Sequence, residues 1–350
     1  MYRIGIDLGG TNIAAGVVDE SQHIVAETSV PTGAERGAEA VVADICRAAE
    51  LAMARAGITA AHCASIGIGS PGTCDGSRGV VVRAYNLGWF NVPVCDMVTA
   101  RLGLPCRLSN DANCAALAET VAGAAVGCRN MVLVTLGTGV GVGIVSDGKL
   151  LEGVGGTGAE AGHAILVLDG EPCTCGRKGC WEAYASATAL IRQGRRAALA
   201  HPESLLARCG DALTAKDVFD AADGGDETAQ AVLAQYYVYV AAGVTDLVNI
   251  LGPEMVLIGG GISRQGERLL SPVREYVAAN CFGGHDRLPP VIEAARLGNE
   301  AGIIGAAALL HKKKNVPTGT FFLLYQSIVR TKLMPLFCMC TSSRTRSPRM

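Results

Sequence analysis

Ile4-Gly5-Ile6-Asp7-Leu8-Gly9-Gly10-Thr11-Asn12-Ile13-Ala14-Ala15-Gly16-Val17-Val18 returns in altered form as Val132-Leu133-Val134-Thr135-Leu136-Gly137-Thr138-Gly139-Val140-Gly141-Val142-Gly143-Ile144-Val145. In each copy an apolar run reaches a Leu-Gly turn and a second apolar run leaves it, the pattern of strand, tight turn, strand. Leu8 and Gly9 map onto Leu136 and Gly137 at one offset of 128 residues. A repeat at that spacing predicts two related α/β domains, each presenting a glycine turn.

Outward from the first copy, a third apolar run at 23–28 follows a turn at 19–21 and completes a three-stranded meander. Apolar residues at helical spacing over 37–56 end at Gly57, a natural C-terminal stop. A strand over 65–69 halts at Ser70-Pro71-Gly72; a helix over 94–102, a strand over 105–109 and an Ala-rich helix over 111–125 follow. Outward from the second copy, Asp147-Gly148 marks a hairpin turn. Beyond Thr188, helices lead to a strand at 255–258, the turn Gly259-Gly260-Gly261, a strand at 291–295 and a helix at 300–310. The expected boundary lies near Gly127. Residues 1–126, with 296–311 returning to them, form one domain, and 127–295 form a larger one.

Composition agrees with this class. The 350 residues are 49% hydrophobic with only 5% aromatic and 45 Gly, a mix for closely packed α/β layers and many tight turns. A formal charge of −2 makes no case for nucleic acid or an anionic membrane. That average hides an asymmetry, since residues 311–350 hold eight Lys or Arg and no acid, leaving 22 basic and 32 acidic side chains in the first 310. The start lacks the apolar core of a secretory signal, and no run approaches the ~18 continuous apolar residues of a membrane span. Most of the 14 cysteines stand alone, with Cys46, Cys63, Cys114 and Cys128 read as small buried hydrophobes. A reducing cytoplasm is the expected compartment.

Asp7-Leu8-Gly9-Gly10-Thr11 and Gly137-Thr138-Gly139 suit backbone N–H groups approaching phosphate oxygens, or two plain hairpin turns. Strands follow both glycine loops, which argues against a dinucleotide site, where a helix would follow. Ser109-Asn110-Asp111 places a carboxylate where a strand gives way to a helix; a helix cap and a base aligned on an alcohol are both compatible with it. Cys173-x-Cys175-Gly-x-x-Gly-Cys180 puts three thiols within eight residues, which suits tetrahedral Zn²⁺ with His163 as the nearest upstream fourth ligand; a redox pair, for which the Cys-x-x-Cys spacing is absent, and coincidental cysteines are the alternatives. Four protein ligands would make that metal structural. Glu160 and Glu182 flank the knuckle and Asn86 lies in a loop, all acceptors of the kind that hold sugar hydroxyls.

Together these residues resemble the ROK family of sugar kinases and repressors, and in particular its bacterial glucokinases. The matching pieces are 7–12, Asn110-Asp111, 136–143, Glu160-x-Gly-His163, 173–182 and 259–261, within a resemblance running from about residue 2 to 310. The resemblance implies a two-domain actin-like, ribonuclease H-like α/β fold with ATP and sugar in the cleft. It implies Asp111 as general base, and His163, Cys173, Cys175 and Cys180 as ligands of a structural Zn²⁺. Asn86, Asn110, Asp111, Glu160, His163 and Glu182 would surround the sugar. Asp7, Gly9, Gly10, Thr11, Asn12, Gly137, Thr138 and Gly139 would serve the phosphates and Mg²⁺, with Gly260 and Gly261 near the adenosine.

The implied reaction is ATP-dependent phosphorylation of glucose to glucose 6-phosphate by a homodimer. An N-acylhexosamine such as N-acetylmannosamine or N-acetylglucosamine is the alternative substrate. A sugar-responsive repressor of the family would carry a helix-turn-helix ahead of this body. Asp7 stands seven residues from the start and Asp111 is retained, so neither a repressor nor a non-catalytic sugar-binding protein is expected. Val142 and Ala159 occupy positions where the family commonly has Gly. The basic tail 312–350 falls outside the resemblance and is assigned no function.

Overall fold

In a computed structural model, which describes residues 1–284 and 289–310, the first strand runs Tyr2–Leu8 (β1). It turns through the glycines into β2 (Asn12–Val18), antiparallel, with Leu8 opposite Ile13. β3 (Ile24–Pro31), α1 (Ala38–Arg55) and β4 (Cys63–Ser70) follow. Three short antiparallel strands come next, β5 (Thr73–Asp75), β6 (Val80–Ala84) and β7 (Trp89–Val92), then α2 (Val94–Leu102), β8 (Cys106–Asn110) and α3 (Asp111–Val121). The first sheet has the order β3-β2-β1-β4-β8, with β4 parallel to both β1 and β8.

The second half repeats the plan. β9 (Met131–Leu136) pairs antiparallel with β10 (Val140–Ser146), which pairs with β11 (Lys149–Leu150). The helices α4 (Glu182–Ala185), α5 (Ala187–Ala200), α6 (Ala215–Asp223) and α7 (Glu227–Leu251) precede β12 (Met255–Gly259). α8 (Glu267–Asn280), β13 (Val291–Ala294) and α9 (Ala301–Ala308) complete the described chain. The order β11-β10-β9-β12-β13, parallel from β9 through β12 to β13, mirrors the first sheet. A hairpin needs only a tight turn, whereas each parallel step needs a long crossover, and that is where the helices fall. The Asp147-Gly148 turn has positive φ at both residues (50° and 76°), as a type I′ hairpin requires.

Two departures from the sequence expectations have local causes. The sheet β5–β7 has strands of three to five residues, too short for an alternation to show. The Ala-rich helix stops at Val121, not Ala125, because the Glu119 carboxylate takes the Ala124 N–H (2.7 Å) that would otherwise bond the Thr120 carbonyl. The other Glu119 oxygen accepts the N–H groups of Arg296 and Leu297, both at 2.8 Å, and so clasps the approach to α9.

α9 packs on α3 and lies across β1 and β4. Contact there is between backbones: a Cβ on Gly305 would stand 1.7 Å from the Cys114 carbonyl oxygen, and one on Gly67 1.8 Å from that of Ala306. One core gathers Ile4, Ile6, Ile13, Ile45, Ile66 and Ile68 beneath α1. The other gathers Val132, Val134, Trp181, Phe219 and Tyr236. Burying each such Ile or Phe contributes about 1.5–3 kcal/mol. α7 is long and apolar enough to cross a bilayer by composition, yet Tyr236, Val240, Val244 and Val248 on it are fully buried in the second core, which makes it a core helix. Cys46, Cys63, Cys114 and Cys128 are all buried and unpaired. The tail 312–350 and His311 lie outside the described residues.

Candidate active site

Asp7 stands at the end of β1, one residue before the turn, and Asp111 is the first residue of α3. Asn110 caps that helix, its Oδ1 accepting the Asn113 N–H at 2.7 Å. Capping therefore falls to Asn110, and the Asp111 carboxylate accepts the neighbouring Ala112 N–H (2.8 Å) and its own backbone N–H. Asp111 reaches water but is enclosed by protein on its other sides, and this burial raises its pKa above the usual carboxylate range. Burial, and then the charge of Asp111, raise Asp7 to about 6. Two partly desolvated carboxylates near enough for the charge of one to raise the other suit a bound cation. α9 leaves Asp7 its room, since a Cβ on Gly302 would lie 2.4 Å from Asp7 Oδ2.

The first glycine turn is closed by Gly9 N–H to the Asn12 carbonyl (2.9 Å) and is propped from behind by Thr32. That side chain, wholly buried, donates from Oγ1 to the Gly9 carbonyl at 2.7 Å, and its N–H reaches the Thr11 carbonyl at 2.8 Å. Nothing in the sequence singled Thr32 out. Gly10, Thr11 and Asn12 remain exposed. Asn86, between β6 and β7, adjoins the same turn: a Cβ on Gly10 would come 3.2 Å from Asn86 Nδ2. The small sheet that escaped the sequence reading is thus what brings Asn86 to Gly10.

The second turn is closed by Gly137 N–H to the Gly139 carbonyl (3.0 Å) and tied to α5, where Ala187 N–H bonds the Gly137 carbonyl (2.8 Å) and Thr188 Oγ1 the Thr138 carbonyl (2.8 Å). Gly260, at φ 78°, lies against the end of β9, its missing Cβ only 2.5 Å from the Leu136 carbonyl oxygen. Gly261 beside it faces open space. The third glycine turn therefore joins the second.

His163, Cys173, Cys175 and Cys180 offer ligand atoms all within 4.8 Å of one another. Cys175 and Cys180 sulfurs are 3.6 Å apart, as are Cys173 Sγ and His163 Nδ1. Bonds of about 2.0–2.3 Å to a tetrahedral Zn²⁺ place neighbouring ligands roughly 3.5–3.8 Å apart, the spacing that these two pairs already have, so the donor set suits that metal. Burial opposes the Cys175 thiolate, but the N–H groups of Arg177 and the neighbouring thiols outweigh it and lower its pKa to about 6.

Glu182 links this cluster to the second turn. Its Oε2 accepts the Val140 N–H at 3.1 Å and lies where a Cβ on Gly139 would be (2.3 Å), while its Oε1 is 3.5 Å from Cys173 Sγ. Glu160 reaches water, but the protein around it partly desolvates its carboxyl, and this with the charges of Asp111 and Glu182 raises its pKa against the pull of His163. Those four groups therefore share one field, although they come from separate stretches of chain.

Ala159, beside Glu160, holds φ at 64°, a left-handed conformation that costs a residue with a Cβ about 1–2 kcal/mol. Ala159→Gly is expected to raise the melting temperature by about 1–2 °C in a thermal scan, net of glycine's greater chain entropy. An unchanged or lower value would show that the strain is absent.

The ROK family model matches residues 3–313. The glucokinase of Halalkalibacterium halodurans is 37% identical over 323 residues, covering 90% of this chain and 96% of that one. The glucokinase of Streptomyces coelicolor is 40% identical over 312 residues, covering 87% and 96%. Among solved structures, a ROK family glucokinase from Streptomyces griseus in complex with glucose and AMPPNP aligns at a TM-score of 0.74 and 39% identity, over 88% of this chain and 99% of that one. With the match running through both sheets and every loop described above, the chain belongs to the ROK family.

Proposed function

We propose that this chain transfers the γ-phosphoryl group of ATP to the 6-hydroxyl of glucose, with Asp111 as the general base. The observation that carries the reading is the division of labour at the start of α3, where Asn110 caps the helix and leaves Asp111 open to the cleft. Asp111 accepts the proton as the sugar oxygen attacks phosphorus. Asn86, Asn110, Glu160, His163 and Glu182 hold the other hydroxyls, and fixing the ring in line supplies much of the acceleration. Exposed N–H groups of the glycine turns, with the Thr11 and Thr138 hydroxyls, cradle the phosphates. Asp7 holds Mg²⁺, which neutralises charge on the phosphate chain when bound. His163 and the three cysteines hold Zn²⁺, which keeps His163 and the Glu182 loop in place without taking part in the transfer.

An ADP-release assay with Mg-ATP and metal-replete protein, comparing glucose, mannose, N-acetylglucosamine and N-acetylmannosamine, tests this. Glucose is expected to give the highest kcat/KM. Preference for an N-acetyl sugar would replace the substrate and keep the mechanism, and no turnover of any of the four by folded protein would overturn the reading.

A further inference from the structure

Glu152 lies in the connection after β11, eight residues before Glu160, and is mostly shielded from water, its side chain 18% exposed. Its carboxylate crosses to the first half of the molecule. Oε1 accepts the Ser109 hydroxyl at 2.6 Å, and Oε2 accepts Arg107 Nη2 at 3.0 Å. Both partners are on β8, and Ser109 immediately precedes Asn110 and Asp111. The chain of donors has one direction. Because a carboxylate only accepts, the Ser109 proton must point to Glu152, and its oxygen then accepts Asn113 Nδ2 at 3.3 Å in the first turn of α3. On its own side, Glu152 is held by the Gly158 N–H bonded to its carbonyl at 2.8 Å.

We propose that Glu152 is a positioning residue that sets the sugar-binding loop 151–163 against the strand end carrying Asn110 and Asp111. It rests on the functional reading above and deepens it. The pair of sugar-facing sets, Asn110 with Asp111 and Glu160 with His163, arrive on different halves of the molecule. Glu152 is a side chain that joins the stretches bearing them. The network is not assembled for stability alone. It leaves Asn113 Oδ1 and Arg107 Nε buried without a protein partner among the described residues, a loss that an apolar contact would have avoided. Misplacing reacting groups by about an ångström costs up to about 100-fold in rate.

Steady-state kinetics of Glu152→Ala, Glu152→Gln and Ser109→Ala, with whichever hexose the wild type phosphorylates, test the proposal. Glu152→Ala is expected to lower kcat/KM for the sugar about 10- to 100-fold while KM for ATP stays within about twofold. Glu152→Gln, whose amide oxygen can still accept from Ser109, should recover most of that loss. Adding Ser109→Ala to Glu152→Ala should add little, since the two act as one unit. The proposal fails if Glu152→Ala stays within about twofold for the sugar, if both KM values rise together, or if Gln is no better than Ala. Should Glu152→Ala not fold, Ser109→Ala, which keeps the Glu152–Arg107 ion pair, carries the same test. If the wild type phosphorylates no hexose, the kinase reading falls by itself. Sugar affinity followed by the fluorescence of the buried Trp89 and Trp181 then still reports on Glu152.

Discussion

Asp111→Asn lowers kcat by about 10³-fold and leaves the protein folded, on the expectation that general-base catalysis contributes roughly 10²–10⁴-fold. The substitution is nearly isosteric, and the Asn oxygen still accepts the Ala112 N–H. Asn110 keeps the helix cap, so the usual destabilisation for losing a cap does not arise. Removing a charge that burial disfavours adds no cost, and the melting temperature should not fall. Glucose affinity should change far less than kcat, because the other sugar contacts remain. The acid limb of the wild-type pH profile carries a second signature. Asp111 accepts a proton only when ionised, and its pKa is raised, so kcat/KM should decline at a higher pH than an ordinary carboxylate would allow. A variant with near-wild-type kcat would remove Asp111 as the base.

Loss of the knuckle metal comes second in expected size. Metal analysis of the wild type should find about one zinc per chain, and Cys175→Ser or Cys180→Ser should lose it. Zinc binding in small thiolate sites is worth about 10–16 kcal/mol of folding free energy, far more than the short bridges Ile165–Cys180 and Pro172–Lys178 supply. Without it the knuckle should open, and with it the contact between Cys173 and Glu182. kcat/KM for glucose is expected to drop about 100-fold, and KM for ATP should rise less, because the knuckle reaches the second glycine turn through Glu182 while the first is propped by Thr32. Restoring zinc to chelated wild type should restore activity, while restoring it to the Ser variants should not. Full glucose turnover by zinc-free protein would end this account.

The parts of the site legible in the sequence are those whose cause is local. A glycine turn between two apolar runs declares itself within about ten residues, and so do three thiols spaced by glycines. The repeat of the first motif at the second was enough to anticipate two matched sheets, and both adopt the same strand plan. Helix and strand limits were read to within a few residues except where a side chain intervened. Glu119 ended α3 early through a bond that no propensity encodes.

What lay beyond reach depends on residues distant in the chain. Thr32 looks like any strand-end threonine until the fold sets it under Gly9, 23 positions away. Glu152 is one acid in a glycine-rich run until β8 is laid beside it, 43 residues from Ser109. Asn86 reaches the first turn only because three very short strands fold back together. The sequence by itself determined the two-domain α/β plan and the glycine turns and named a candidate base and candidate metal ligands, because backbone conformation and short ligand spacings are settled by neighbouring residues. The tertiary structure alone decided which side chains converge. Such convergence follows from packing and chain closure over tens of residues, and those forces leave no local pattern to read.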